Sequence, residues 1–235
     1  MAPMSNLDHV LWIGGHSGAG KSTVGRQLVR RWGLRLYACD TRTWEHRDRA
    51  IASGVDAALP RSPLVLAEGT LLPPHVADPA RSVWLVPSKD FQARHRDDPE
   101  RRTEPMEAVI AAANRRGIPI VVVDGSRPVA EIAVEVEVWL ADALKAGPTA
   151  TTIGERRAVL RGANLDVVRQ IRMGCARSWA TADPEVQVRT FTCECGDEAC
   201  EADIDATVGA AASGPVIAPG HASSQPGVRR QRPAF

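Results

Sequence analysis

The sequence predicts an α/β fold, a five-stranded parallel sheet flanked by helices, followed by a small cysteine-rich α+β module. Three observations carry this reading. Short Val/Ile/Leu runs alternate with helix-spaced segments from residue 9 to 146, the pattern of parallel strands covered on both faces. A glycine-rich turn separates the first run from the first helical segment. Cys193, Cys195 and Cys200 crowd into eight residues near the end of the chain, well away from the strand-like runs.

The elements follow in order. HVLWIGG (9–15) is an apolar strand running into glycines, and STVGRQLVRRWG (22–33) has helical spacing at Val24, Leu28 and Val29. LRLYACD (34–40) reads as a second strand and TWEHRDRAIASGVDAAL (43–59) as a helix. PLVLAEG (63–69) is a third strand bounded by Pro63 and Gly69, and RSVWLVP (81–87) a fourth. PMEAVIAAANRRG (105–117) is a helix closed by Gly117, IPIVVVDG (118–125) the fifth strand, and VAEIAVEVEVWLADALKAG (129–147) a last helix. These elements define a first domain over 1–146, with 147–154 as a linker. A helix and the cysteine-rich module fill 155–221, and 222–235 has the composition of a disordered tail.

Composition narrows the function classes. With 29 Lys and Arg against 28 Asp and Glu, the chain lacks the basic excess that drives nucleic-acid or acidic-membrane binding, so neither partner is expected. The apolar runs are too short to span a bilayer. The N-terminal residues show no basic stretch followed by an apolar run, and five cysteines is an odd number. The expected setting is the reducing cytoplasm.

Gly15 to Ser22, GHSGAGKS, matches G-x-x-x-x-G-K-[ST] in full, between a strand and a helix as that motif requires. Glycines let successive N–H groups curl toward phosphate oxygens, and the helix N-terminus adds positive potential. The expected nucleotide contacts are Gly15, His16, Ser17, Gly18, Ala19, Gly20, Lys21, Ser22 and Thr23. Lys21, exposed in the loop, reaches the β and γ phosphates of ATP; the Ser22 hydroxyl goes to Mg²⁺.

From residue 10 to 146 the chain resembles the P-loop small-molecule kinases, the shikimate, gluconate and nucleoside-monophosphate kinase group, with an ATP-binding domain of the AAA type. The resemblance implies a P-loop NTPase fold and transfer of the γ-phosphate to a hydroxylated small molecule. It implies that Asp40, in YACDTRTW, takes the acceptor's proton or holds the metal's water shell; a helix N-cap is the plainer reading. Arg42, His46 and Arg47 fall on the acceptor side. Glu68 ends an apolar strand as a Walker B acid that orients water on Mg²⁺, and Asp124 competes for that role. With Glu68 in it, Asp124, Gly125, Ser126, Arg127 and Pro128 become adenine contacts. Arg94, Arg96, Arg101 and Arg102, in FQARHRDDPERRT, correspond to a mobile lid, with Arg94 and Arg101 as catalytic arginines; a charged surface loop is the alternative.

The C-terminal CECG…C…PGH pattern resembles a small domain of other bacterial proteins. Three thiols and an imidazole, Cys193, Cys195, Cys200 and His221, suit one structural Zn²⁺. Cys175 competes with His221 as fourth ligand, and unliganded thiols or a regulatory disulfide are alternatives. A nucleotide-binding sensor whose module mediates interaction is the second reading of the whole chain.

Overall fold

The protein is described from a computed structural model covering residues 7–41, 62–70, 72, 74–94, 106–176 and 180–221. The expected helix at 43–59, the tail, and Arg42, His46, Arg47, Arg96, Arg101 and Arg102 lie outside the described residues.

Five strands form the main sheet: β1 (Val10–Gly15), β2 (Arg35–Ala38), β3 (Val65–Glu68), β4 (Ser82–Pro87) and β5 (Ile120–Val123). All neighbours are parallel, in the order β2-β3-β1-β4-β5. Helix α1 (Lys21–Trp32) follows β1. A short α2 (Lys89–Arg94), α3 (Met106–Arg115) and α4 (Val129–Ala146) are the further described helices before residue 147. This is the five-stranded parallel sheet flanked by helices that the sequence predicts. Strand β1 lies at the centre, and the chain leaves it toward β2 on one side and later crosses to β4 on the other. Ligands of open α/β sheets collect at such a reversal, beyond the carboxyl ends of the strands.

Alternation along β1 splits the core into two layers. Leu11 and Ile13 face one side, with Val24 and Leu28 of α1 and Ile132, Val136 and Leu140 of α4. Val10 and Trp12 face the other, with Trp84, Val65, Ala67 and, from α3, Val109 and Ala113.

The long helix α5 (Ile153–Cys175) starts from a capping box, Thr152 with Glu155. Its Leu160 and Ala163 join the first core layer, and it lies along β2 and α1. The segment before it is held in place as well: Ala150 N–H donates to Gly33 O at 2.9 Å and Leu64 N–H to Pro148 O at 2.7 Å. No helix of the described residues is long and apolar enough to cross a membrane.

Beyond α5, an antiparallel pair β6 (Val188–Thr192) and β7 (Asp203–Thr207) leads into the short helix α6 (Val208–Ser213). The strand β7 and helix α6 are not legible in the sequence pattern. Phe191, Val208, Ala211 and Val216 pack on Val167 and Val168 of α5. The seat is polar as well as apolar. Fully buried Asn164 donates to Thr192 O at 2.8 Å and to Glu194 Oε1 at 2.7 Å, and accepts from Thr192 N–H at 3.1 Å. Arg161 donates to the carbonyls of Ala211, Ala212 and Gly214 at the end of α6.

Asn164→Ala removes both halves of that clasp: the Thr192 N–H and carbonyl lose their Asn164 partners, and Glu194 keeps only its longer contact with Arg161, at 3.4 Å. Each such group costs about 1–3 kcal/mol, so urea unfolding is expected to show a loss of about 2 kcal/mol or more. A loss within measurement error would mean that the module does not depend on this helix for its seat.

Candidate functional site

The loop between β1 and α1 takes its shape from glycines, for two different reasons. Gly15 has φ 117°, and a Cβ there would lie 2.0 Å from Leu85 O, so neither the backbone nor the neighbouring strand leaves room. Gly18 and Gly20 have φ 81° and 76°, but a Cβ on either would meet nothing within 4 Å. Their constraint is purely conformational, and the space over them is open. Ala19 is buried between them. Gly20 caps α1 without a side chain, so the first N–H groups of the helix face that space undisguised.

Lys21 is buried, against the expectation of an exposed side chain. Its Nζ donates to His16 O at 2.6 Å, folding the amine back along the loop. His16 is buried too, its Nδ1 3.1 Å from Gln92 Nε2 of α2, a partner that no sequence motif marks.

Pairing of β1 with β3 sets Ile13 opposite Glu68, at the carboxyl end of both strands. Ser22 Oγ donates to both Glu68 oxygens, at 3.1 Å each. Burial, with the neighbouring Asp40, pushes the Glu68 carboxyl up to about 7 against the opposing pull of Lys21, the Ser22 hydrogen bond and Arg26. Arg26 is one turn along α1 from Ser22 and is another group without a motif.

Asp40 sits in a 3-10 turn, Cys39–Thr41, directly after β2. Its carboxylate accepts Thr70 N–H at 2.9 and 3.1 Å. The backbone after β3 therefore holds the acid that follows β2, and the two carboxylates, Asp40 and Glu68, are neighbours over the edge of the sheet.

Asp124 is placed differently. Strand β5 is two positions from β1, and Asp124 accepts from Ser126 N–H at 2.9 Å and Ser126 Oγ at 2.6 Å in an exposed turn. Those bonds hold its carboxyl below the usual range. Of the loop that follows, Arg127 pairs with Glu135 at 2.7 Å and Pro128 caps α4. Arg94, exposed at the end of α2, donates to Asp124 O at 3.4 Å. It lies with the β5 loop; the other arginines named for a lid fall outside the described residues.

The chemistry of this donor set suits a magnesium–nucleotide. Open space over positive-φ glycines, a helix N-terminus with no side-chain cap, a buried lysine, and a hydroxyl held on a buried carboxylate are what phosphates and a hard cation need.

A second cluster lies in the module. Ligand atoms of Cys193, Cys195, Cys200 and His221 all fall within 4.8 Å of one another and could hold a metal ion. The three cysteines are buried and free, and His221 is exposed. Burial pushes the Cys200 thiol up to about 12, with the Cys195 and Cys193 thiols adding to the effect. Cys175 lies elsewhere, on α5, accepting from Gln187 Nε2 at 3.0 Å.

No family model and no curated protein matches the chain. Among solved structures it is similar to a gluconokinase from Sinorhizobium meliloti 1021, at 20% sequence identity and a TM-score of 0.34, over 58% of this chain and 93% of that one.

The raised Glu68 carboxyl has a signed consequence for stability. The unfolded chain titrates this group near 4.5 and the folded chain near 7, so unfolding releases a proton between those values. Its contribution is most favourable below pH 4.5 and is lost as pH rises to about 7, by about 3 kcal/mol at most. Urea unfolding of nucleotide-free, metal-free protein is expected to show this fall, and Glu68→Gln to flatten it in the same window. An equal slope in both proteins would mean that Glu68 is ionised throughout.

Proposed function

We propose that the chain is an ATP-dependent phosphotransferase that moves the γ-phosphate of ATP to a hydroxyl of a small molecule. The observation that carries the reading is the Ser22–Glu68 contact beside Lys21, with Asp40 next to Glu68. It is the arrangement needed to bind a metal–triphosphate and to place a base near it.

In this reading the loop from Gly15 to Thr23 holds the phosphates through backbone N–H groups. Lys21 leaves His16 O for the phosphate oxygens, exchanging a neutral acceptor for a charged one. Ser22 and Glu68 are the residues that would hold Mg²⁺, directly and through water. When bound, the ion neutralises charge developing between the β and γ phosphates. Ionised Glu68 suits a cation better than the protonated acid does, so a bound cation is expected to draw the carboxyl down from about 7.

Asp40 is the proposed base for the acceptor hydroxyl. Thr70 N–H fixes its orientation from one side, as a base that must meet a defined proton requires. Arg94 and Arg101 are the proposed arginines for transferring charge, and Arg127 and Pro128 the proposed adenine contacts. The proposed setting is the cytoplasm.

A second reading, a nucleotide-binding sensor, has one observation in its favour. Arg30 of the phosphate-loop helix donates to Glu201 O at 3.1 Å and to Asp203 Oδ1 at 3.0 Å in the module. Under that reading nucleotide changes the module and no hydroxylated acceptor accelerates ADP release.

Two variants test the assignment. Lys21→Ala is expected to abolish tight ATP binding in titration calorimetry while circular dichroism stays native; retained micromolar affinity would defeat it. A screen for ADP release against hydroxylated metabolites, nucleosides and aminoglycosides identifies the acceptor. With that acceptor, Asp40→Asn is expected to lower kcat by about 10²–10⁴-fold with little change in nucleotide affinity. Normal turnover would move the base elsewhere, and Glu68 is next to examine.

A further inference from the structure

We infer that Cys193, Cys195, Cys200 and His221 bind one zinc ion in a closed tetrahedral site that clamps the two strands of the β6–β7 pair together. This does not depend on the kinase reading, because none of the four residues belongs to the phosphate site.

Distances separate a metal site from a chance cluster. Zinc held by sulfur at about 2.3 Å and nitrogen at about 2.0 Å sets S and N about 3.5 Å apart across a tetrahedral angle. His221 Nδ1 lies 3.6 Å from Cys193 Sγ and 3.5 Å from Cys200 Sγ. The same geometry puts two sulfurs about 3.8 Å apart, and no pair of ligand atoms here exceeds 4.8 Å. Closing the shell onto an ion takes shifts of about 1 Å or less, within side-chain reach.

The backbone is built to deliver these groups. Cys193 follows the last residue of β6, and its N–H donates to Ala202 O at 3.0 Å, just before β7. Gly196, φ 78°, turns the chain after Cys195, and a Cβ there would lie 2.6 Å from Ile153 O, so no larger residue fits. The Asp197 side chain then accepts Ala199 N–H at 2.9 Å, and Cys200 N–H donates to Asp197 O at 3.2 Å. That tight turn carries the third sulfur back beside the first two. A turn from Ala218 to His221, with the His221 N–H donating to Ala218 O at 3.0 Å, brings in the imidazole.

The surrounding contacts also suit a metal site. Ala218 N–H points at Cys193 Sγ at 3.3 Å, a donor that favours a thiolate, as outer partners of metal ligands do. Arg157 Nε donates to Cys195 O at 2.9 Å and pins the second ligand's backbone to α5. Three sulfurs and one imidazole select zinc over magnesium or calcium, and four protein ligands leave no position for substrate, so the site is structural. The apolar material around it is thin: Ala218, with Ala202, Ile204 and Ile217 partly buried. A metal cross-link supplies the cohesion that such a core lacks.

The test uses the full chain, expressed in zinc-containing medium and purified without chelator. Elemental analysis is expected to give one zinc per chain. Cys195→Ser and Cys200→Ser are expected to lose it, while Cys175→Ser and Cys39→Ser keep it. Because a ligand variant can also misfold, the wild-type protein is loaded with Co²⁺ in place of zinc. Strong tetrahedral d–d bands with thiolate-to-cobalt charge transfer are expected, and His221→Ala is expected to shift them. Metal-free wild type with a protease-resistant module, iron in place of zinc, a disulfide among the three cysteines, or a cobalt spectrum unchanged in His221→Ala would each overturn the assignment.

Discussion

The parallel pairing of β1 with β3 is the constraint on which the candidate site rests. Its register places Glu68 opposite Ile13, with only the short glycine-rich loop between that strand end and Ser22. A shift by one residue would turn Glu68 to the other face of the sheet and bring Ala67 toward Ser22. The register is held from both sides: Leu66 packs in one core layer, and Val65 and Ala67 in the other. Apolar burial on two faces therefore positions a carboxylate that would be costly to bury by itself. The elevated Glu68 carboxyl is the visible cost of that placement, offset in part by Ser22, Lys21 and Arg26.

The phosphate loop and the module share one helix. Helix α1 begins at Lys21 and carries Arg26 and Arg30 along the side that meets the module. Asp203 is a charge partner of both: it pairs with Arg30 and its field opposes the burial of Arg26, as does that of Glu68. Arg26 thus lies in the fields of an acid of the phosphate site and an acid of the module. Helix α5 strengthens the link from behind, since Leu160 and Ala163 belong to the sheet's core while Asn164 and Arg161 hold the hairpin and α6. The segment after residue 147 that reads as a linker is hydrogen-bonded to Gly33 and Leu64 and works as a strap leading α5 onto the sheet.

Much was legible in the sequence because its signals are local. Five apolar runs became five strands, and the glycine-lysine-serine motif lies between β1 and α1, because strand burial and phosphate-loop geometry both act over a few neighbouring residues. The crowding of Cys193, Cys195 and Cys200 was legible too, while the choice of His221 over Cys175 beside them was not, because it depends on a turn from Ala218 to His221 that spacing does not show. Strand β7 and helix α6 were not: DIDAT and VGAAAS are short and weakly apolar. They form because β6 and α5 offer pairing and a surface to pack on.

By itself, the sequence determined the fold class, the glycine-rich loop between the first strand and the first helix, and a cluster of three thiols whose fourth partner stayed open between His221 and Cys175. Those follow from residue type and spacing alone. Only the tertiary structure decided that Glu68 rather than Asp124 meets Ser22, because strand order puts β3 beside β1 and β5 two positions away. It also decided that Lys21 and His16 are buried, that Asp40 is held by Thr70 N–H, and that Cys175 stands apart from the other thiols. Each of these depends on chain segments distant in sequence meeting at a strand end or across a helix, where one-dimensional spacing carries no distance.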